Sequence, residues 1–308
     1  MQTVSFSSAE VVPSWTVGEL VVHRVDEVPL PAPTGRWLLP GATAEVVARH
    51  DWLRPDFADR DGALRLASHS FAFSVNGLRV LVDTGIGNGK PRANPAWHDL
   101  RTDYPERLAA AGFPPDSVDL VLLTHLHTDH VGWNTRAQDG GWVPTFPIAR
   151  YVTSRTEREF WAGHPMDEAR TQMFRDSVHP VEKAGQLDLV DLPEAGLDLA
   201  PGLRLLPTPG HTPGHFAVRL DSAGETALIT GDCVHHPVQL PEPGIGSCVD
   251  IDPRQSEATR RTLLAALADT GTLVLGTHFP PPTAGRVTGG AGRHRLTPVP
   301  PDSGPGTD

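Results

Sequence analysis

Cysteine is nearly absent from this 308-residue sequence. Cys233 and Cys248 are the only two, so at most one disulfide could form, and two buried or partly buried thiols are expected in a reducing compartment. No apolar run approaches the roughly 18 residues of a membrane-spanning helix. The first residues show neither a basic leader with an apolar stretch nor a small-residue cleavage site, so a soluble, cytoplasmic protein without a membrane partner is expected. Positive charge is scarce as well. With 26 Lys and Arg against 37 Asp and Glu, the formal net charge of −11 argues against nucleic acid, whose affinity rests on cationic side chains displacing counterions. A small, uncharged substrate suits the chain better, and a homodimer is the expected assembly. There is no repeat of fixed period and no linker between two hydrophobic halves, so residues 1–296 form one expected domain with an N-terminal extension. Residues 297–308, rich in Pro, Gly and Asp, are expected to be a disordered tail.

What is present is a globular balance, 39% hydrophobic and 20% charged, with 30 glycines and 31 prolines that point to long, shaped loops. Alternating runs at 17–25, 68–76 and 78–83 predict strands, the last two joined by Asn76-Gly77 in a hairpin that leads into Asp83-Thr84-Gly85. Helical spacing over 100–111 ends at Gly112, and the mostly apolar 118–123 predicts a buried strand ending at Thr124-His125. Helices are predicted at 154–161, with Ser154 and Glu157 at capping-box spacing, and at 167–177. Strand-like runs follow at 203–207, 216–220 and 227–230. A helix opened by Asp252-Pro253 then runs through 268, and a strand at 272–275 ends near Thr277-His278. Residues 286–295 are expected to be a solvated loop.

The segment THLHTDHVGW puts His125, His127, Asp129 and His130 in one tight turn after the 118–123 strand. Neutral imidazoles and a carboxylate suit a borderline divalent ion such as zinc; packed together without one, they would compete for hydrogen bonds. With 15 histidines in 308 residues, composition alone gives this pattern with a probability on the order of a few in a thousand. A lone histidine is more often a surface or satisfied core residue. His211 in TPGHTPGH, Asp232 in LITGD and His278 in GTHFPP each follow a strand, however, and a strand terminus presents a ligand rigidly. Cys233 is given no role beyond packing beside Asp232, and His236 is expected at the surface.

In this order, and over nearly the whole chain, these residues resemble the metallo-β-lactamase-fold hydrolase superfamily. The resemblance implies an α/β fold, a four-layer αβ/βα sandwich with the metal site at one edge of two packed β-sheets. It implies that His125, His127 and His211 hold one metal, that Asp129, His130 and His278 hold another, and that Asp232 bridges them. Asp83, in DTGIGN, matches the family's buried aspartate, for which a supporting role is favoured over ligation. The implied cofactors are two divalent ions, zinc first, with manganese, iron or cobalt as alternatives. Within the superfamily, GDCVHHPVQL and the full ligand set look most like the branch of N-acyl homoserine lactonases and methyl parathion hydrolase. The lactonases carry a tyrosine three positions after the bridging aspartate. Here that position is His235, which is similar to the organophosphate hydrolases and leaves ester, lactone and phosphotriester bonds open.

The expected activity is hydrolysis of a small, largely apolar ester, lactone or phosphotriester by a metal-bridging hydroxide, because paired ions lower the pKa of a shared water. Asp129 or Asp232 would relay the proton, and His235 would complete the catalytic set. A GxSxG elbow is absent and Cys233 lacks a nucleophile's strand-to-helix setting, so covalent catalysis explains the sequence less well. Two alternatives remain within the superfamily. A glyoxalase II type thioesterase would need basic residues near the C-terminus, which are sparse; a mononuclear iron dioxygenase would not need both His130 and His278. Trp37, Leu38, Trp52, Leu53, Phe57, Phe160, Trp161, Met173 and Phe174 are expected to be mostly core, with some lining a pocket for an acyl or aryl group.

Overall fold

The computed structural model describes residues 12–290 and 293–303. The N-terminal half supplies β1 (Ser14–Val17), β2 (Leu20–Leu30), β3 (Leu66–Val75), β4 (Leu78–Val82) and β5 (Leu120–Leu122). A side hairpin follows, β6 (Thr135–Gln138) with β7 (Gly141–Pro144), and then β8 (Arg150–Ser154) and β9 (Leu187–Val190). Without the hairpin these strands make a seven-stranded sheet in the order β1-β2-β3-β4-β5-β8-β9. The second seven-stranded sheet runs in chain order through β10 (Leu197–Ala200), β11 (Leu203–Pro207), β12 (Phe216–Ser222), β13 (Glu225–Ile229), β14 (Leu273–Leu275), β15 (Ala284–Thr288) and β16 (Arg295–Pro298). Both sheets are mixed: β4, β5, β8 and β9 are parallel, as are β13 and β14, and the remaining pairs are antiparallel.

The period of two along each strand builds the layers. Phe71, Phe73, Val80 and Val82 point into a core between the sheets, where they meet Phe216, Val218, Ile229 and Leu275. Their neighbours Ala72, Leu81 and Val121 face outward, under α3 (Tyr104–Ala110), α4 (Arg155–Gly163) and α5 (Glu168–Met173), with Leu108, Trp161 and Met173 in the same cluster. On the far side Ala217, Leu228 and Val274 pack under α7 (Pro253–Leu267). The four-layer αβ/βα sandwich is therefore as expected. The N-terminal extension, with α1 (Ala32–Leu38) and α2 (Ala44–Val47), adds Leu39, Val47, Leu53 and Phe57 to this last cluster. The remaining helix, α6 (His179–Lys183), precedes β9.

Most predicted elements are present with shifted ends, and both N-caps are as read, but Glu157 does not complete a capping box because its carboxylate accepts from Leu126 N, Gly214 N and Trp161 Nε1 instead. Ser154 accepts from Glu157 N, and Asp252 accepts from Arg254 N and Gln255 N ahead of Pro253. The 167–177 helix is interrupted: α5 passes into a π-helical segment, Phe174–Val178. Four expectations need correction. Residues 286–295 are not a solvated loop, since β15 and β16 form an antiparallel pair there with Val287 and Leu296 buried. Thr297 and Pro298 belong to β16, and Val299 and Asp302 donate backbone hydrogen bonds to Ala284 O and Ser14 O, so 297–303 is ordered; the rest of the expected tail lies outside the described residues. Cys248 is exposed rather than buried. His236 is fully buried: its Nε2 lies 2.8 Å from Phe57 O, because the N-terminal extension covers it. Among the described residues no helix is long and apolar enough to cross a membrane.

Candidate metal centre

Four strand ends converge on one edge of the sandwich. β5 runs into the His125–His130 turn, β11 into the loop bearing His211, β13 into Gly231-Asp232, and β14 into the loop bearing His278. In the second sheet β11 and β13 are both antiparallel to β12, and β14 is parallel to β13, so the C-terminal ends of β11, β13 and β14 lie on the same side. Two groups result, each with ligand atoms within 4.8 Å of one another: His125, His127, His211 and Asp232 in one, Asp129, His130 and His278 in the other. All seven residues named from the sequence are thus brought together, with Asp232 grouped with His125, His127 and His211.

Asp232 lies between the sets. Its Oδ2 is 3.3 Å from His211 Nε2 and 3.7 Å from His125 Nε2, while Oδ1 is 3.3 Å from His130 Nε2 and 3.2 Å from His278 Nε2. Asp129 faces the second set, 3.6 Å from His278 Nε2, and with a side chain 16% exposed it is the open edge of the group. Nε2 of His125, His127 and His130 and Oδ1 of Asp232 are buried without a hydrogen-bond partner among the described residues. Buried polar atoms are normally paired, and this donor set, imidazole nitrogen with carboxylate oxygen, fits a divalent cation.

The electrostatics divide the histidines, with His125 and His127 held low while the carboxylates raise His130, His211 and His278 against the effect of burial. Burial, followed by the neighbouring imidazoles, holds His125 and His127 well below the ordinary histidine range, which keeps their rings neutral and their lone pairs free. At His130 burial also opposes the charge, but the carboxylates of Asp232, Asp83 and Asp129 outweigh it and raise its pKa. Burial likewise works against the charge of Asp232, and His130, His278 and His235 overcome it and keep the carboxylate ionised.

Each ring is oriented from behind. His130 Nδ1 lies 2.9 Å from Asp83 Oδ2, the supporting role expected for that aspartate, and His278 Nδ1 lies 3.0 Å from Ala67 O. His211 Nδ1 is 2.8 Å from Asp250 Oδ1. His215 acts on Asp232: its Nε2 accepts from Asp232 N at 2.8 Å, and its Nδ1 lies 2.7 Å from Thr208 Oγ1. Burial pushes His215 down to about 3, consistent with a neutral acceptor. Gly231 is required beside it, since its φ is +51° and a Cβ there would lie 2.5 Å from His215 Nε2. Glu157 ties two loops together, accepting from Leu126 N at 3.0 Å and Gly214 N at 3.2 Å. His215, Asp250 and Glu157 were not expected here. The repeated Pro-Gly-His of TPGHTPGH was the signal for His215 and the capping position a partial one for Glu157; Asp250 had none.

His235 is fully buried with its Nε2 3.3 Å from Asp232 Oδ2, and it stacks on His278 at 6.0 Å between centroids. Neither of its ring nitrogens has a hydrogen-bond partner among the described residues. Of the aromatic and apolar residues expected near the site, Leu38, Leu53, Phe57, Trp161, Met173 and Phe174 are buried core, and Trp37 is 57% exposed.

The sequence profile of the metallo-beta-lactamase superfamily matches residues 64–278, from before β3 through His278. The chain belongs to that superfamily. Among curated relatives, the N-acyl homoserine lactonase AiiB of Agrobacterium fabrum (strain C58 / ATCC 33970) is 31% identical over 173 residues, covering 50% of this chain and 58% of AiiB. The superfamily chain thus spans little more than half the length of that relative. Two solved structures share the fold at 23% identity. A hydrolase of the beta lactamase superfamily, AbOPH, superposes with a TM-score of 0.76, covering 96% of this chain and 100% of its own. AidC, a dizinc quorum-quenching lactonase solved with a product, gives 0.77 over 94% and 97%.

Proposed function

We propose that this chain is a dinuclear metal-dependent hydrolase of small, largely apolar lactones and esters, with phosphotriesters as further substrates. The observation that carries the proposal is Asp232, whose two carboxylate oxygens each face one half of the histidine and aspartate set. In this reading His125, His127 and His211 would hold one ion and Asp129, His130 and His278 another, with Asp232 facing both. Zinc is the proposed metal, supported by the nitrogen-rich donor set and by the dizinc description of AidC. Two such ions would supply a water of lowered pKa, and so hydroxide near neutral pH.

The chain's own residues do the rest. Asp129, at the open edge, is placed to take a proton from the attacking water and pass it to the leaving oxygen. Asp232, fixed through its backbone N–H by His215, holds an ionised carboxylate between the two sets, which leaves the proton to Asp129. Burial lowers the pKa of His235, so a neutral ring presents one N–H to the oxygen on which charge develops. A lactone is the leading substrate because AiiB and AidC are described as lactonases.

The test is a panel of lactones, aryl esters, phosphotriesters, thioesters and β-lactams assayed with zinc or manganese, alongside elemental analysis. Turnover of a lactone or ester by protein holding about two metals per chain is the expected result. A purified, active protein with one iron and no second metal would sink the reading, as would chelator-insensitive protein inert on the whole panel.

A further inference from the structure

The ring of His235 has no hydrogen bond of its own among the described residues, so its place 3.3 Å from Asp232 is set through its backbone. That backbone belongs to the loop that follows Asp232, and the loop is braced from inside. Gln239 Oε1 accepts from His235 N at 2.7 Å and from His236 N at 3.3 Å, while its Nε2 donates to Ile245 O at 2.8 Å. One fully buried amide thus ties His235 to the far side of the loop. His236 adds a second brace: its Nδ1 accepts from Val238 N at 3.0 Å, so Nε2 carries the proton and donates it to Phe57 O at 2.8 Å. Arg260, on α7, staples the two ends of the loop, with Nη1 2.9 Å from Cys233 O and Nε 3.0 Å from Pro243 O.

These braces differ in what they hold. Arg260 and His236 fasten the loop to its surroundings, whereas Gln239 accepts the N–H of the very residue whose ring faces Asp232. Peptide and ring are joined through one Cα, so a shift of that peptide carries the ring with it, and a misplacement of about 1 Å at a reacting centre can cost ~100-fold in rate. The candidate ligands are held by other means: His235 belongs to neither ligand group, and Asp232 is fixed through its own N–H by His215. We propose that Gln239 is a positioning residue for hydrolysis, holding His235 against the oxygen on which charge develops, with no part in metal binding. This inference rests on the hydrolase reading above and on the role given there to His235.

The test is a double-mutant cycle of Gln239→Leu with His235→Phe, on the zinc-loaded full chain and the best substrate of the panel above. Gln239→Leu alone is expected to lower kcat about 10–100-fold, with KM and zinc content per chain unchanged. In the His235→Phe background the same substitution is expected to lower kcat by less than about twofold, because the ring it positions is gone. Gln239→Glu is expected to recover most of kcat, since burial keeps the new carboxyl protonated, with a C=O to accept and an O–H to donate as the amide does. Calorimetric affinity for an aryl phosphonate, whose charged oxygen stands in for the oxyanion, should fall with kcat in Gln239→Leu and return in Gln239→Glu. Thermal melts check folding; if the leucine variant melts below the assay temperature, Gln239→Asn, with its amide withdrawn by one methylene, carries the cycle instead. An unchanged kcat, an equal loss in the two backgrounds, or zinc lost along with activity overturns the proposal and leaves the hydrolase reading intact. An unaltered kcat in His235→Phe overturns it too, through His235. Wild type inert on the panel removes the hydrolase reading and this inference with it.

Discussion

Asp83 Oδ2 lies 2.9 Å from His130 Nδ1, and the same carboxylate accepts from Thr124 N through Oδ1 at 2.8 Å. One side chain at the end of β4 thus fixes both a candidate ligand ring and the strand end that delivers His125. Its φ of 56° places the carboxylate where the parallel neighbour β5 terminates. Asp83→Asn keeps the shape but cannot accept from both partners with a full charge. Zinc affinity is expected to fall about 10–100-fold, measured by competition with a chromophoric chelator; equal affinity in the two proteins would remove Asp83 from the support of the site.

Removing metal tests the centre more broadly. His125, His127 and His130 leave Nε2 buried without a partner, so the metal-free protein carries unpaired polar atoms that a cation would satisfy. Chelation followed by dialysis is expected to abolish hydrolysis and lower the melting temperature, and added zinc to restore both. At a free-zinc concentration of about 100 times Kd, binding would add ~2.7 kcal/mol of stability. Calorimetric scans with and without zinc measure this, and coincident transitions would count against a native-state metal site.

The strands that carry the chemistry were legible because the inward and outward faces of β3, β4 and β5 alternate in the sequence as in the layers, and because His125–His130 falls in one turn. The supports were not. Asp250 meets His211 across 39 residues, and Glu157 meets Gly214 across 57, pairings that only the folded chain creates. His236 looks like a surface residue until the N-terminal extension, through Phe57, is laid over it. Prolines suggested disorder after 297, yet Pro298 lies on the outermost strand, where its missing N–H faces no neighbour in the sheet. The two-set division itself came from family resemblance, and the oxygens of Asp232 gave it a geometric basis.

His235 separates metal binding from chemistry. Among the described residues it touches Asp232 without belonging to either ligand group, and both of its nitrogens lack a hydrogen-bond partner. His235→Phe preserves the stacking shape against His278 and removes the donor. If the ring supports the developing oxyanion, kcat on the best substrate should drop about 10²–10³-fold, with zinc content per chain unchanged. Steady-state kinetics with elemental analysis decide it: parallel loss of zinc would make His235 a ligand, and an unaltered kcat would leave it a packing residue.

Lys90 offers a pH prediction away from the centre. Its Nζ is fully buried, 2.6 Å from Thr135 Oγ1, 3.5 Å from Asp176 Oδ1 and 3.7 Å from the centroid of Trp142. Asp176, however, is already engaged by Arg92 at 2.8 and 2.9 Å, so Lys90 is the second cation on one carboxylate. Burial, only partly offset by Asp176, lowers its pKa from 10.5 to about 7. Between those values the unfolded chain binds more protons at this lysine than the folded one, so its contribution to stability rises with pH and is lost as pH falls through about 7. In Lys90→Met that slope is gone. The unfolding free energy of wild type relative to the variant should therefore increase across this interval, by up to ~1.4 kcal/mol per pH unit. Urea denaturation at several pH values between about 7 and 10 measures it. A difference that stays flat, or that shrinks with rising pH, would mean that Lys90 remains charged in the fold and that Asp176 serves both cations.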